Sequence, residues 1–223
     1  EDFEIAIAYR IEGSIGTIDV FNIDGIRVSG WPITTNSFFN SGIAAGDVDL
    51  DGKDEIAASF YFGGGVYLYN YDGTIKPGWP NLGNLRFSSL PIFANLDSDN
   101  FLEIVVTNVD YSESNTYAFN HDGTYLDNWP QSRPFYYPWY PLSRTSPIAV
   151  EDSDGSDMIF DVAGARIYGW EVTGSMAPEF PKVDNGFTSF AIATLDLDND
   201  NKLELIGGSE PLENPTSIPF SYI

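Results

Sequence analysis

Four segments of the chain end alike. They read GWP, GWP, NWP and EFP, and their prolines, Pro32, Pro80, Pro130 and Pro181, fall at intervals of 48, 50 and 51 residues. Each follows a short turn signal: NIDG from Asn22, NYDG from Asn70, NHDG from Asn120 and, more loosely, EVTG from Glu171. A period of this kind restricts the fold sharply. Each unit must be one supersecondary piece that buries its apolar face only by stacking on its neighbours.

A second element repeats in step. DVDLDGKDE (Asp47 to Glu55), NLDSDNFLE (Asn95 to Glu103) and DLDNDNKLE (Asp196 to Glu204) match position for position, and EDSDGSDMI (Glu151 to Ile159) is a degenerate copy. Short apolar runs flank each acidic stretch: GIAAGDV, PIFANLD, PIAVEDS and FAIATLD before it, EIAASF, EIVVTN, MIFDVAG and ELIGGS after it. Alternating residues around Asp-Gly in GGVYLYNYDGTIK and NTYAFNHDGTYLD then predict a hairpin, because Asp-Gly tolerates positive φ. No segment carries a helical period. Four short strands per repeat of this length predict an all-β fold, a β-propeller of four-stranded blades. The whole chain, 1–223, reads as one propeller region, with repeats over approximately 1–32, 42–80, 90–130, 146–181 and 190–209. EDFEIAIAYR matches the end of an acidic loop and the strand after it, so the first repeat lacks its first strand. The expectation is a partial propeller, or part of a longer one.

Carboxylates at this density repel one another, so the acidic stretch is either a solvated turn or is held by a cation. Alternate carboxylates, a residue tolerant of positive φ at the sixth position and an acid at the ninth suit calcium, which takes six to eight oxygens in flexible geometry. An EF-hand closes with Glu at the twelfth position, between helices. Here Glu is at the ninth, between strands, and the EF-hand reading fails.

The repeated loop DVDLDGKDE at blade spacing resembles the FG-GAP/VCBS repeat family, whose blades also build the integrin-α head. The Phe-Gly and Gly-Ala-Pro parts of the integrin-type motif are absent, so the VCBS-like branch is nearer. The resemblance implies a calcium-binding propeller on a secreted or cell-surface protein. It assigns a first site to Asp47, Asp49, Asp51, the Lys53 carbonyl and Glu55. A second falls to Asn95, Asp97, Asp99, the Phe101 carbonyl and Glu103, and a last to Asp196, Asp198, Asp200, the Lys202 carbonyl and Glu204. The degenerate loop keeps Asp152, Asp154 and Asp157 as weaker ligands, with Met158 where Glu belongs. The cofactor expected is Ca2+, about three ions, one per complete loop.

Charge narrows the partners. The formal net charge is −23, from 33 acidic and 10 basic residues. Nucleic acid is excluded, because phosphate contacts need Lys and Arg. Adaptation to high salt is a second source of such acidity. No apolar run approaches the roughly 18 residues of a membrane helix, and without cysteine there is no disulfide framework.

Trp31, Trp79 and Trp129 share one slot of the repeat, with Phe180 in the fourth copy, and that slot predicts packing between blades. The aromatic run RPFYYPWYPLSR is an insertion. From Pro130 to Ile148 is 18 residues, against 11, 12 and 11 for the equivalent spans after Pro32, Pro80 and Pro181. Its Tyr136, Tyr137, Trp139 and Tyr140 form a candidate ligand surface, or a loop that caps the core. Catalysis has little to stand on. The one histidine, His121, sits in a turn, no cysteine exists, and the carboxylates already follow calcium-loop spacing. The function expected is a non-catalytic module for adhesion or for binding a protein or carbohydrate at the cell surface. The alternatives are part of an extracellular polysaccharide-degrading enzyme, or a structural component of a surface assembly.

Overall fold

The structure is a computed structural model. It describes all residues except 1–2, 12–14, 36–41, 62–64, 82–84, 88, 98, 109–113, 134–145, 152–156, 164–165, 184–186, 200–202 and 212–223. Among the described residues every regular element is a strand, and every pairing is antiparallel. Five sheets follow one another along the chain. The first holds β1 (Glu4–Ile11), β2 (Ile15–Asn22) and β3 (Ile33–Thr35). The second holds β4 (Ile43–Gly46), β5 (Glu55–Phe60) and β6 (Gly65–Tyr69). The third holds β7 (Ile92–Ala94), β8 (Glu103–Thr107), β9 (Asn115–Phe119) and β10 (Gln131–Ser132). The fourth holds β11 (Ile148–Glu151), β12 (Asp157–Ala163), β13 (Arg166–Trp170) and β14 (Lys182–Val183). The fifth holds β15 (Phe187–Leu195) and β16 (Glu204–Pro211).

Within a sheet, strands pair in chain order. Between sheets, β1 lies beside β4, β4 beside β7, β7 beside β11 and β11 beside β15. Each successive pair of sheets encloses its own apolar cluster. Ile18, Val20 and Trp31 of the first unit pack on Ile56, Ala58, Phe60 and Tyr69 of the second. Ala57, Val66, Leu68 and Trp79 then meet Phe87, Ile104, Val106, Tyr117 and Phe119. Leu96, Val105, Ala118 and Trp129 meet Ile159, Tyr168 and Trp170. Strands such as EIAASF and EIVVT are buried throughout, because both faces of these sheets are covered.

The repeated tryptophans behave as their slot predicts. Trp31 stands edge-on to Tyr69 of the next sheet at 6.2 Å, and Trp79 stands edge-on to Phe119 at 5.4 Å. Their indole N–H groups donate to the carbonyls of Tyr71 (2.9 Å) and His121 (3.1 Å). Phe180 packs on Phe160 of its own sheet at 5.4 Å and joins the apolar cluster between the fourth and fifth sheets.

The fourth strand is not where the Asp-Gly signal puts it. All four turns form, including the loose EVTG copy: Gly25, Gly73, Gly123 and Gly174 have φ between 76° and 84°, and each donates its N–H to the residue three back. After the turn only one residue bridges back, as in Tyr69–Ile75 and Phe119–Tyr125. The chain then takes a second left-handed residue (Gly30, Gly78, Asn128 or Glu179) and a cis X–Pro bond. Only then does it resume pairing, at β3, β10 and β14 or, in the second unit, at the single pair Val66–Asn81. The left-handed residue reverses the chain direction, which no continuing strand tolerates.

Candidate metal centres

The acidic stretches are the loops from β4 to β5, from β7 to β8 and from β15 to β16. Among the described residues three carboxylate clusters result: Asp47, Asp49 and Glu55; Asp97, Asp99 and Glu103; and Asp196, Asp198 and Glu204. In each, one oxygen per residue lies within 4.8 Å of the others. Two unit charges at that distance repel by about 3–4 kcal/mol at an effective dielectric constant near 20. Protons, an ammonium, a bound metal ion or the ions of the solvent offset that repulsion.

One backbone device builds all three. The ninth-position glutamate opens the second strand and reaches back to accept the N–H of the loop's second residue: Glu55 Oε2 from Val48 (3.2 Å), Glu103 Oε2 from Leu96 (2.7 Å), Glu204 Oε2 from Leu197 (2.7 Å). The fifth-position aspartate closes an Asx turn. Asp51 Oδ1 accepts from Lys53 N–H at 2.9 Å, and Asp99 Oδ1 from Phe101 N–H at 2.8 Å. Asp47 accepts from Asp51 N–H and Gly52 N–H. Gly52 takes its expected positive φ of 85°, but so does the fourth loop position, at Leu50 (62°) and Asn199 (62°), which the sequence does not announce.

Of the ligands expected, Asp51 stands apart from the first cluster, whereas Asp99, which makes the same Asx turn, belongs to the second. Asn95 keeps its side-chain oxygen buried with no hydrogen-bond partner, an acceptor that fits a cation. Lys53 lays its ammonium over the Tyr71 ring at 3.7 Å, and Phe101 packs on His121 at 4.3 Å, the same contact one repeat later. In the degenerate loop, strand register puts Met158 opposite Val150, as Glu55 is opposite Gly46 and Glu103 opposite Ala94. Asp157 turns to the neighbouring unit, where its carboxylate accepts Asn95 N–H at 2.7 Å. Asp152, Asp154, Asp200, Lys202 and the aromatic surface of Tyr136, Tyr137, Trp139 and Tyr140 lie outside the described residues.

The first two clusters differ in charge balance. Lys76 Nζ reaches Asp49 Oδ2 at 2.6 Å and Glu55 Oε1 at 3.3 Å. The Lys76 hydrogen bond holds the Asp49 carboxyl below its usual range. Burial pulls against Lys76's charge, but Asp49 and Glu55 keep the ammonium above an ordinary lysine. Burial pushes Glu55 up, offset in part by Lys76. Among the described residues no lysine or arginine pairs with Asp97, Asp99 or Glu103. Glu103 is 1% exposed, and burial, with Asp97 and Asp99 adding to it, pushes its carboxyl up to about 7.

A pH dependence follows. A carboxyl raised in the folded state favours the fold below its ordinary range, and that contribution is lost as pH rises toward 7. Any calcium held by this carboxylate would compete with the proton. Calcium affinity at the second loop should therefore fall roughly 20-fold from pH 7.5 to pH 5.5, since one proton of pKa near 7 is displaced. Calorimetric titration at the two pH values, on the wild type and on Glu103→Gln, checks it. An affinity flat in pH contradicts a buried, proton-competing Glu103.

No protein-family model matches the chain, and no curated protein matches it. Several solved structures are similar in fold, among them these two. One is the biofilm matrix protein Bap1 of V. cholerae, 19% identical with a TM-score of 0.59; the match covers 92% of this chain and 30% of that one. The other is a protein of unknown function from Bacteroides caccae, 16% identical with a TM-score of 0.51; the match covers 92% of this chain and 65% of that one. At these identities the likeness concerns the fold alone. The chain spans less than two thirds of either neighbour's length.

Proposed function

We propose that the chain is a non-catalytic calcium-binding module whose sheets are the blades of a β-propeller, carried by a secreted or cell-surface protein. The observation that carries the reading is the recurrence of a three-carboxylate cluster, with one glutamate-to-backbone bond, at the same strand-to-strand loop of three sheets, built from loop positions one, three and nine in the first and last and three, five and nine in the second. Oxygen-only ligands on a flexible loop favour calcium over zinc or copper. The metal's role is structural. It neutralises the loop and pins the turn between the first two strands of a blade.

The blade reading is supported by first strands β4, β7, β11 and β15 that neighbour one another in chain order and by an apolar cluster between each successive pair of sheets. It rests on these repeats rather than on a family match. Among the described residues no helix is long and apolar enough to cross a membrane, and Bap1 is by its name a biofilm matrix protein. Both agree with an extracellular place. The binding role is tested by retention of the purified chain on immobilised acidic and neutral polysaccharides and on cell-surface protein, in calcium and in chelator. Calcium-dependent retention without release of sugar ends supports a binding module. Release of sugar ends overturns the non-catalytic reading.

A further inference from the structure

We propose that Lys76 is the resident cation of the first acidic loop, closing it in place of a metal ion, so that divalent-ion binding falls to the β7–β8 loop, which has no such lysine. The inference rests on the calcium reading above and refines which loops need the ion.

The slot is fixed by the backbone. In each repeat the residue after the Asp-Gly turn donates its N–H to the third strand: Val28 to Val20, Lys76 to Leu68, Leu126 to Ala118, Ala177 to Gly169, at 2.8 to 3.0 Å. Three of the four slots are apolar, and Leu126 is buried in the cluster with Ala94, Leu96 and Trp129. Only the second unit puts a lysine there, and it is 8% exposed.

The ammonium has three N–H donors and three acceptors within reach: Asp49 Oδ2 (2.6 Å), Glu55 Oε1 (3.3 Å) and Asn70 Oδ1 (3.4 Å). Two of these belong to the carboxylate cluster itself. A divalent ion bound to the same oxygens would face an ammonium within hydrogen-bonding distance of its ligands. Repulsion of a double charge by a single one at such range opposes entry. The tether also fixes the lysine without the entropy of capturing a free ion. Asp49 Oδ1, buried and without a partner, is the one oxygen of that carboxylate that Lys76 leaves unfilled.

The experiment counts bound calcium by equilibrium dialysis at pH 7.5 on the wild type, Asp49→Asn, Asp97→Asn and Lys76→Met. Asp97→Asn should lose one ion and Asp49→Asn none. Lys76→Met should gain one and become more sensitive to chelator, with circular dichroism in calcium checking that it folds. Loss of an ion from Asp49→Asn overturns the inference, independently of how Lys76→Met behaves. An unchanged count in folded Lys76→Met overturns it too. In both cases calcium binding at the loops still stands, whereas a wild type that binds no calcium removes that reading as well.

Discussion

Replacing Asp161 with Asn, or Arg133 with Met, should destabilise the protein by about 3–5 kcal/mol, the effect of leaving one buried charge without its partner. Arg133 follows β10 in the third sheet, and Asp161 lies in β12 of the fourth. Their side chains are 3% and 0% exposed, with Arg133 Nη1 2.8 Å from Asp161 Oδ2. The rest of the network is backbone and hydroxyl. Arg133 donates to the carbonyls of Asn108 (2.7 Å), Asn115 (3.2 Å) and Val162 (3.3 Å). Asp161 accepts from Thr116 Oγ1 at 2.8 Å and from Val162 N–H at 2.7 Å. Burial pushes the Asp161 carboxyl up, and Arg133 pulls it back. The pair thus ties two sheets together, with Arg133 Nε alone of the guanidinium nitrogens left buried without a partner. Denaturant unfolding of the two single variants and of Arg133→Met/Asp161→Leu tests this. The singles should each lose several kcal/mol, and the double variant should recover part of it. Singles within about 1 kcal/mol of the wild type would mean the pair is solvated.

Gly78→Ala should cost about 3 kcal/mol or more. Positive φ at a residue with a Cβ costs roughly 1–2 kcal/mol, and Gly78 sits at φ 88°. A Cβ there would lie 1.8 Å from the Asp122 carbonyl oxygen of the next repeat's turn. The two turns must separate, which strains the Trp79 indole bond to His121 and adds a packing loss of about 1–3 kcal/mol. Gly30 meets Asp72 in the same way. The third and fourth repeats carry Asn128 and Glu179 at the same left-handed position, both at φ 66°. The glycine is therefore demanded by the close approach of the neighbouring turn as well as by the dihedral. Thermal unfolding of Gly78→Ala beside Asn128→Ala separates the two causes. Similar losses in both would contradict the clash.

What the sequence makes legible is what short-range chemistry dictates. Asp-Gly fixes its turn within four residues, and the Asp-X-Asp-X-Asp loop with Gly52 fixes its hairpin. The strand EIAASF is read to the residue, because β-branched and small apolar residues between turn signals allow little else. Three features escape. The fourth strand follows the Trp-Pro rather than the Asp-Gly, since ThrIleLys after Asn-Tyr-Asp-Gly looks like the returning arm of a hairpin and the reversal depends on the left-handed Gly78. Lys76 sits between Ile75 and Pro77, where no local pattern sets it apart. Its partner Asp49 is 27 positions away, and only the slot shared with Val28, Leu126 and Ala177 marks it as unusual. Arg133 and Asp161 meet across two sheets, and no local pattern announces that. The acidic loops are legible as carboxylate clusters because nine residues contain each one.

The most direct test of the account is thermal unfolding at pH 7.5 in calcium and in chelator. An ion at a hundredfold excess over its dissociation constant contributes about 2.7 kcal/mol, which in a domain of this size is roughly 5–10 °C in Tm. Calcium-stapled loops predict a Tm that falls by at least that much on chelation and returns when calcium is restored, with a smaller fall in Asp97→Asn. A Tm indifferent to chelator and calcium, but rising with sodium chloride, would contradict the account and make the acidic loops solvated turns of a salt-adapted surface.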